Sequence, residues 1–365
     1  MPTPDYWHYP RTALADSVLM AFGSGLSHAL TMFAPRRMGK TEFLLKDIAP
    51  RAAEQGWRVF YHSFMSDGDE GGEVFRLSLA EFAAGRARTW LKPLTARVSA
   101  EVLGVKAELA TRDARAPHSL TEVVQALAAG GRCLLLLDEA QILTRQARNE
   151  ELLGGLRTGL DINKDTLKVL FTGSSREGLR RMFSEARAPF FHFGTNIELP
   201  TLERAFCTHL AAAFTRSTGR VLDEAQLWDA FVACGHVPAH LRAVVEAMVL
   251  NAGLTLATAV RLTSHHQHDE TQYARQLNAL PPLDRLVLRA VLTAAPLFAE
   301  ETRARIGTTL GSAAPSTTLI QSATERLLRD EIITRRERGQ YEISDPGFAQ
   351  WLHALPTASD QAPLE

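Results

Sequence analysis

The chain has 365 residues, 45% of them hydrophobic and 22% charged, with a formal net charge of -1. This is globular composition, long enough for two or three cores, and it excludes a disordered chain. A near-neutral total argues against a surface uniformly coated for nucleic acid, while leaving room for a local basic face.

The opening MPTPDYWHYPRT is aromatic and broken by prolines, unlike a basic segment followed by an apolar stretch. No apolar run approaches the roughly 20 residues a membrane helix needs, so a cytoplasmic protein without a membrane partner is expected. Residues 12–22 follow with Leu14, Val18, Leu19 and Phe22 at helical spacing. Residues 29–34 are a short apolar strand candidate, residues 39–53 a helix, and residues 58–64 (RVFYHSF) a second strand rich in aromatic and β-branched types. Strand, helix, strand in that order implies a parallel sheet. The pattern from 68 to 91 is helical, and residues 98–109 fit either a helix or a small hairpin. Residues 120–128 form a helix, and CLLLL at 133–137 is a wholly apolar strand that must be covered on both faces. LKVLFT at 167–172 is another. Cys133, Cys207 and Cys234 stand apart with no CxxC pair, so they are expected to be small buried residues.

After Pro200 the pattern changes to helices at 202–214, 224–233 and 239–250, with no convincing strand before about Ile332. TSHHQHDET at 263–271 has the polarity of a connector, and its histidines lack the carboxylate or cysteine spacing of a metal site. From Leu283 the order is three helices, then two β-rich runs in IITRRERGQYEIS about Gly339, then a helix with Phe348, Trp351 and Leu352. Helices followed by a hairpin have the order of a winged-helix domain.

The chemistry is concentrated in APRRMGKT, formed by Ala34, Pro35, Arg36, Arg37, Met38, Gly39, Lys40 and Thr41. It departs from the phosphate-binding pattern GxxxxGK[ST] only where Ala34 replaces the first glycine. It also lies between a strand and a helix, the context the pattern requires. Backbone N–H groups of such a loop and the positive end of the helix hold phosphate, and Gly39 permits close approach. Lys40 is expected on the β- and γ-phosphates of ATP, and the Thr41 hydroxyl on Mg²⁺. CLLLLDEAQ then ends a buried strand with two acids, Asp138 for the metal and Glu139 for the attacking water. KVLFTGSS ends a third strand in hydroxyls, with Ser174 the first choice and Thr172 the second for sensing the γ-phosphate.

These motifs resemble the AAA+-like P-loop ATPases near the archaeal-type ATPases, the Orc/Cdc6 initiators and the STAND signalling ATPases. The matching features are APRRMGKT, LLLLDEAQ, VLFTGSS, the helical segment after Pro200, GHVPAHLRAV and the terminal helices and hairpin. The resemblance implies an α/β fold: a P-loop NTPase parallel sheet sandwiched by helices, then an α-helical lid and a C-terminal winged-helix domain. The expected boundaries are a linker and helix at 1–24, the core at 25–200, the lid at 201–277, the winged helix at 278–355 and a tail at 356–365. It also implies that YPRTAL, near Tyr9, contacts the nucleotide base. Arg242 in GHVPAHLRAV would reach the γ-phosphate, although His236 stands where a small residue is common. An arginine finger from a second copy is implied too, with Arg176, Arg180, Arg181 and Arg187 as candidates.

The expected function is an ATP-hydrolysing switch coupling nucleotide state to the winged helix, acting on duplex DNA or in a signalling assembly with a protein partner or further copies. The alternative is a nucleotide-stabilised adaptor with negligible turnover. On the helix at 317–329, Leu319, Ile320, Ala323, Leu327 and Leu328 are expected to face the core, leaving Gln321, Thr324 and Arg326 outward. Arg335, Arg336 and Arg338 fall at the expected wing, yet residues 283–353 carry nine Lys or Arg against nine Asp or Glu. DNA binding and protein docking therefore both remain open.

Overall fold

The computed structural model describes residues 5–66, 70–85, 119–184, 188–264, 267–337 and 339–355. The undecided segment at 98–109, Arg187 and Arg338 fall outside these residues.

Helix α1 (Thr12–Gly23) leads into strand β1 (Ala29–Phe33), and the loop after β1 opens a long helical stretch. That stretch runs as α2 (Lys40–Glu42), a π-helical turn (Phe43–Ile48) and α3 (Ala49–Glu54). The widening has a sequence cause. Pro50 offers no N–H to the carbonyl four residues back, and its ring crowds that carbonyl. Then come β2 (Arg58–Ser63), α4 (Gly71–Ala83), α5 (Leu120–Ala129), β3 (Cys133–Asp138), α6 (Glu150–Ile162), β4 (Leu167–Gly173), α7 (Arg176–Phe183) and β5 (Thr195–Glu198).

The five strands form one sheet in the order β2-β3-β4-β1-β5, every pair parallel. Alternation along β3 divides the core. Cys133, Leu135 and Leu137 pack in one layer with helices α4, α5 and α6, while Leu134 and Leu136 pack in the other with α1 and the Lys40–Glu54 helix. A period of two places successive side chains on opposite faces, so an unbroken apolar strand is what a doubly covered sheet demands. Helices α5 and α6 meet closely where Gly159 lies: a Cβ there would stand 2.7 Å from Val124 Cβ.

The edge strand β5 was not anticipated. TNIE is mostly exposed and pairs on one side only, so it lacks the apolar signature that marked its neighbours.

Beyond Pro200 lie α8 (Arg204–Thr218), α9 (Glu224–Ala233), α10 (Pro238–Leu250) and α11 (Leu256–Ser264), with α8, α9 and α10 closing around Phe206, Leu210, Phe231 and Leu241. The expected connector is shorter than its polarity suggested, because α12 (Gln267–Ala279) begins inside it. The chain ends in α13 (Pro282–Leu292), α14 (Glu300–Leu310), α15 (Thr317–Arg329), an antiparallel hairpin of β6 (Ile333–Glu337) and β7 (Gln340–Ile343), and α16 (Pro346–Ala354). These elements share a core of Val287, Ile306, Ile320, Leu327 and Phe348. Among the described residues no helix is long and apolar enough to cross a membrane.

Two expectations for α15 fail. Leu319 is exposed, and Thr324 is buried with its hydroxyl donating to the Ile320 carbonyl at 2.8 Å. Arg326 keeps part of its surface in solvent, as expected, but it is held. Its guanidinium makes two bonds to Asp284 at 2.6 and 2.9 Å, because α13 brings that buried carboxylate against it.

Candidate functional site

Parallel register brings the strand ends together, with Ser63 beside Asp138 and Phe33 beside Gly173. The loop between β1 and α2 arches over this edge. Arg37 and Gly39 both take left-handed backbone angles, φ 66° and 88°, so the glycine requirement at position 39 is conformational. Ala34 is absent from the left-handed positions and lies buried in the core, which explains why a glycine is dispensable there.

Lys40 reaches back under the loop. Its ammonium donates to the carbonyls of Ala34 at 2.7 Å and Pro35 at 3.0 Å, and lies 3.6 Å from Glu139 Oε1. Burial lowers its pKa, opposed by the charges of Glu139 and Asp138. Thr41 donates to Asp138 Oδ2 at 2.6 Å. Tyr61, on β2, donates to the same oxygen at 3.3 Å, and Thr172, on β4, donates to Oδ1. Three hydroxyls from three elements thus hold one carboxylate. Burial first, then the charge of Asp138, raises the Tyr61 pKa and keeps it a donor.

Glu139 follows at φ 56°, a left-handed angle that costs a non-glycine residue strain. Its Oε2 accepts from Ser174 N at 3.1 Å, Ser174 Oγ at 2.6 Å and Gln141 Nε2 at 2.7 Å. Burial pushes its pKa up, but Lys40 and these hydrogen bonds outweigh that and leave it lowered. The structure therefore brings Lys40, Thr41, Asp138, Glu139 and Ser174 together. Thr172 belongs to Asp138 instead of sharing a role with Ser174. Tyr61 and Gln141 were missed. The only available signals were the position of Tyr61 late in a strand and the glutamine two places after Glu139.

Arg242, on α10, reaches the same helix start at a different residue. Its guanidinium bonds Glu42 at 2.8 and 3.0 Å, so α10 is tied to the residue after Thr41. Ala239 N and His240 meet the Arg37 carbonyl and guanidinium in turn. His236, following Gly235, takes φ 56° and packs its ring near Trp228 and Phe231, so the larger residue fills the turn. The N-terminal segment closes a cleft beside the loop. His8 bonds the buried Asp47 at 2.7 Å, Arg11 N donates to the same carboxylate at 3.2 Å, and Arg11 also donates to the carbonyls of Met38 and Pro200. Trp7, His8, Met38, Phe43, Phe206 and Arg242 line that cleft.

Of the four candidate finger arginines, Arg176, Arg180 and Arg181 lie on α7, and α7 packs against β6 of the terminal hairpin. No group of three or more His, Cys, Asp or Glu capable of holding a metal occurs among the described residues.

No protein-family model matches the chain, and neither does any curated protein. Solved structures do. A Walker-type ATPase of Pyrococcus abyssi superposes with a TM-score of 0.61 at 16% identity, covering 95% of this chain and 99% of its own. The ORC2 protein of Aeropyrum pernix, in ADPNP-ADP complexes, gives 0.58 at 16% identity over 93% of this chain and 91% of its own. Its ADP form gives 0.53 at 16% identity, covering 94% of each chain. The chain has the fold of the Walker-type P-loop ATPases. At such identity the likeness extends to architecture, and the fold places the loop, the acidic strand end and the helices beyond Pro200 in one arrangement.

Proposed function

We propose that the protein binds ATP at the loop from Ala34 to Thr41 and hydrolyses it, using the nucleotide state to move the helices beyond Pro200 and the terminal unit. The observation that carries this reading is the convergence of Lys40, Thr41, Asp138 and Glu139 on one sheet edge. Lys40 exchanges its carbonyl partners for the β- and γ-phosphates, and the amides of the loop complete the cradle. A hydroxyl and a carboxylate 2.6 Å apart form an oxygen donor set that suits Mg²⁺, so Thr41 and Asp138 would hold the ion, which neutralises charge between the phosphates. Glu139 accepts the proton of the attacking water, and Ser174 steadies it. The cleft under Trp7 and His8 receives the base. Arg242 trades Glu42 for the γ-phosphate when α10 moves.

The experiment is a paired measurement on Lys40→Ala and Glu139→Gln. The first should lose ATP binding, and the second should keep binding while losing turnover, because an amide cannot take the proton. Identical behaviour of the two in binding and phosphate-release assays contradicts the division of roles.

A specific observation favours a second reading, in which turnover is negligible until a partner acts. The three donors to Glu139 Oε2 leave that oxygen saturated. We read the terminal helices and hairpin as a winged helix that serves as the output. The commitment of Arg326 to Asp284 supports a protein partner over duplex DNA as its target.

A further inference from the structure

Gln141 takes part in none of the steps above, yet it is 1% exposed and touches the catalytic carboxylate. An ionised Glu139 requires the amide NH₂ to face it, which turns Gln141 Oε1 the other way. That oxygen is buried and has no hydrogen-bond donor. An unpaired buried acceptor raises the free energy of the arrangement that contains it, so the hold on Glu139 is poised to release. The side chain fits only because two neighbours lack a Cβ. A Cβ on Gly173 would stand 2.3 Å from Gln141 Oε1, and one on Gly178 would stand 2.6 Å from Gln141 Cγ and 2.8 Å from Gln141 Cβ. Gly178 lies in the first turn of α7, where its N–H is held at 2.9 Å by Ser175 Oγ. Displacing this turn therefore displaces Gln141.

We propose that Gln141 is a positioning residue that keeps Glu139 turned onto Ser174 and away from the attacking water, and that helix α7 sets this hold through Gly178. The proposal rests on the hydrolysis reading above and adds the device that restrains it. A general base must offer an acceptor oxygen to the water. Oε2 already accepts three hydrogen bonds, and Oε1 faces Lys40. Loss of the Gln141 donor leaves Ser174 as the remaining hold and lets the carboxylate swing.

Gln141→Leu fills the same space without the donor, and should raise kcat severalfold with KM for ATP unchanged. Gly178→Ala, whose methyl group would crowd Gln141 Cγ and Cβ and which suits a helix, should do the same. The double variant should rise no further than either alone. Because Gly178→Ala keeps the glutamine and acts by displacing it, it carries the test even if Gln141→Leu folds poorly. Phosphate release that depends on Glu139 but stays level or falls in both single variants overturns the hold, as does a kcat change accompanied by an equal change in KM. Phosphate release that persists in Glu139→Gln instead overturns the hydrolytic role of Glu139, so the two failures are separable.

Discussion

Thr41 Oγ1 donates to Asp138 Oδ2 at 2.6 Å, joining the first turn after the loop to the end of a strand 97 positions away. The same carboxylate takes the hydroxyls of Tyr61 and Thr172, so its orientation is over-determined before any ligand arrives. Groups that only orient a ligating side chain still govern how well it binds.

The first prediction concerns Tyr61. Tyr61→Phe keeps the ring and removes the hydroxyl, which should weaken the Mg²⁺ dependence of ATP binding by on the order of tenfold. Calorimetric titration of nucleotide at graded Mg²⁺ measures it. Equal Mg²⁺ curves for variant and wild type would reduce Tyr61 to a packing residue.

Arg242 supplies the second. Its bond to Glu42 is the latch between α10 and the start of α2, and Glu42 also meets Lys46 at 2.9 Å. If Arg242 moves to the γ-phosphate, Arg242→Ala should slow hydrolysis by on the order of a hundredfold, the effect of losing one transition-state donor. Glu42→Gln should leave the rate within a few-fold, since only the resting partner is weakened. Stopped-time phosphate assays on both variants decide it. A rate that falls equally in both would mean the latch, and not a phosphate contact, is what Arg242 provides.

The sequence disclosed those features whose cause is local. CLLLLD is buried on both faces and ends in acid, and GKT opens a helix, so β3 and the loop could be read without a partner in view. Relations that depend on register or docking could not. Tyr61 meets Asp138 because Ser63 aligns with Asp138, and Arg242 meets Glu42 across 200 positions. The outward face of α15 was misread because periodicity sorts residues by type. Arg326 turns toward α13 only because Asp284 is waiting there, and Thr324 satisfies its own hydroxyl within the helix.

The third prediction tests packing in the core. Gly159 faces Val124 with no room for a methyl group, so Gly159→Ala should destabilise the fold by about 1–3 kcal/mol, despite the better helix propensity of alanine. Urea unfolding gives the value. Adding Val124→Ala should recover part of the loss, and a failure to recover would place the cost elsewhere.

The fourth prediction follows from Asp284. It is 1% exposed and relies on Arg326 for both oxygens. Arg326→Ala leaves a buried charge unpaired. Because the arginine side is partly open to solvent, we expect a loss of about 2 kcal/mol, below the range for a fully buried pair. Replacing both residues with leucine should restore most of it, since well-packed apolar pairs often match buried ion pairs. Differential unfolding of the terminal unit reads the outcome, and a double variant no better than the single one would show that shape, and not charge, was lost.

The last prediction decides what the terminal unit binds. Arg335 and Arg336 lie on β6, and Arg338 follows in the sequence; in winged-helix DNA binders the wing makes phosphate contacts. Arg335 lies over the Tyr341 ring at 5.7 Å, Arg329 pairs with Asp330, and the exposed side of α15 presents Leu319 with Gln321 and Glu325. An exposed leucine beside a glutamate suits a protein surface better than a phosphate backbone. Replacing Arg335, Arg336 and Arg338 together by alanine should therefore leave any weak duplex-DNA affinity at each salt concentration almost unchanged, and Leu319→Glu should weaken capture of a protein partner. DNA binding predicts the reverse. Wild-type affinity would fall steeply with salt, and the triple variant would lose about one unit of that slope for each phosphate contact removed. Fluorescence anisotropy on a labelled duplex, repeated at several salt concentrations with ATP and with ADP, separates the two. A steep slope that the arginine substitutions flatten would overturn the protein-docking reading.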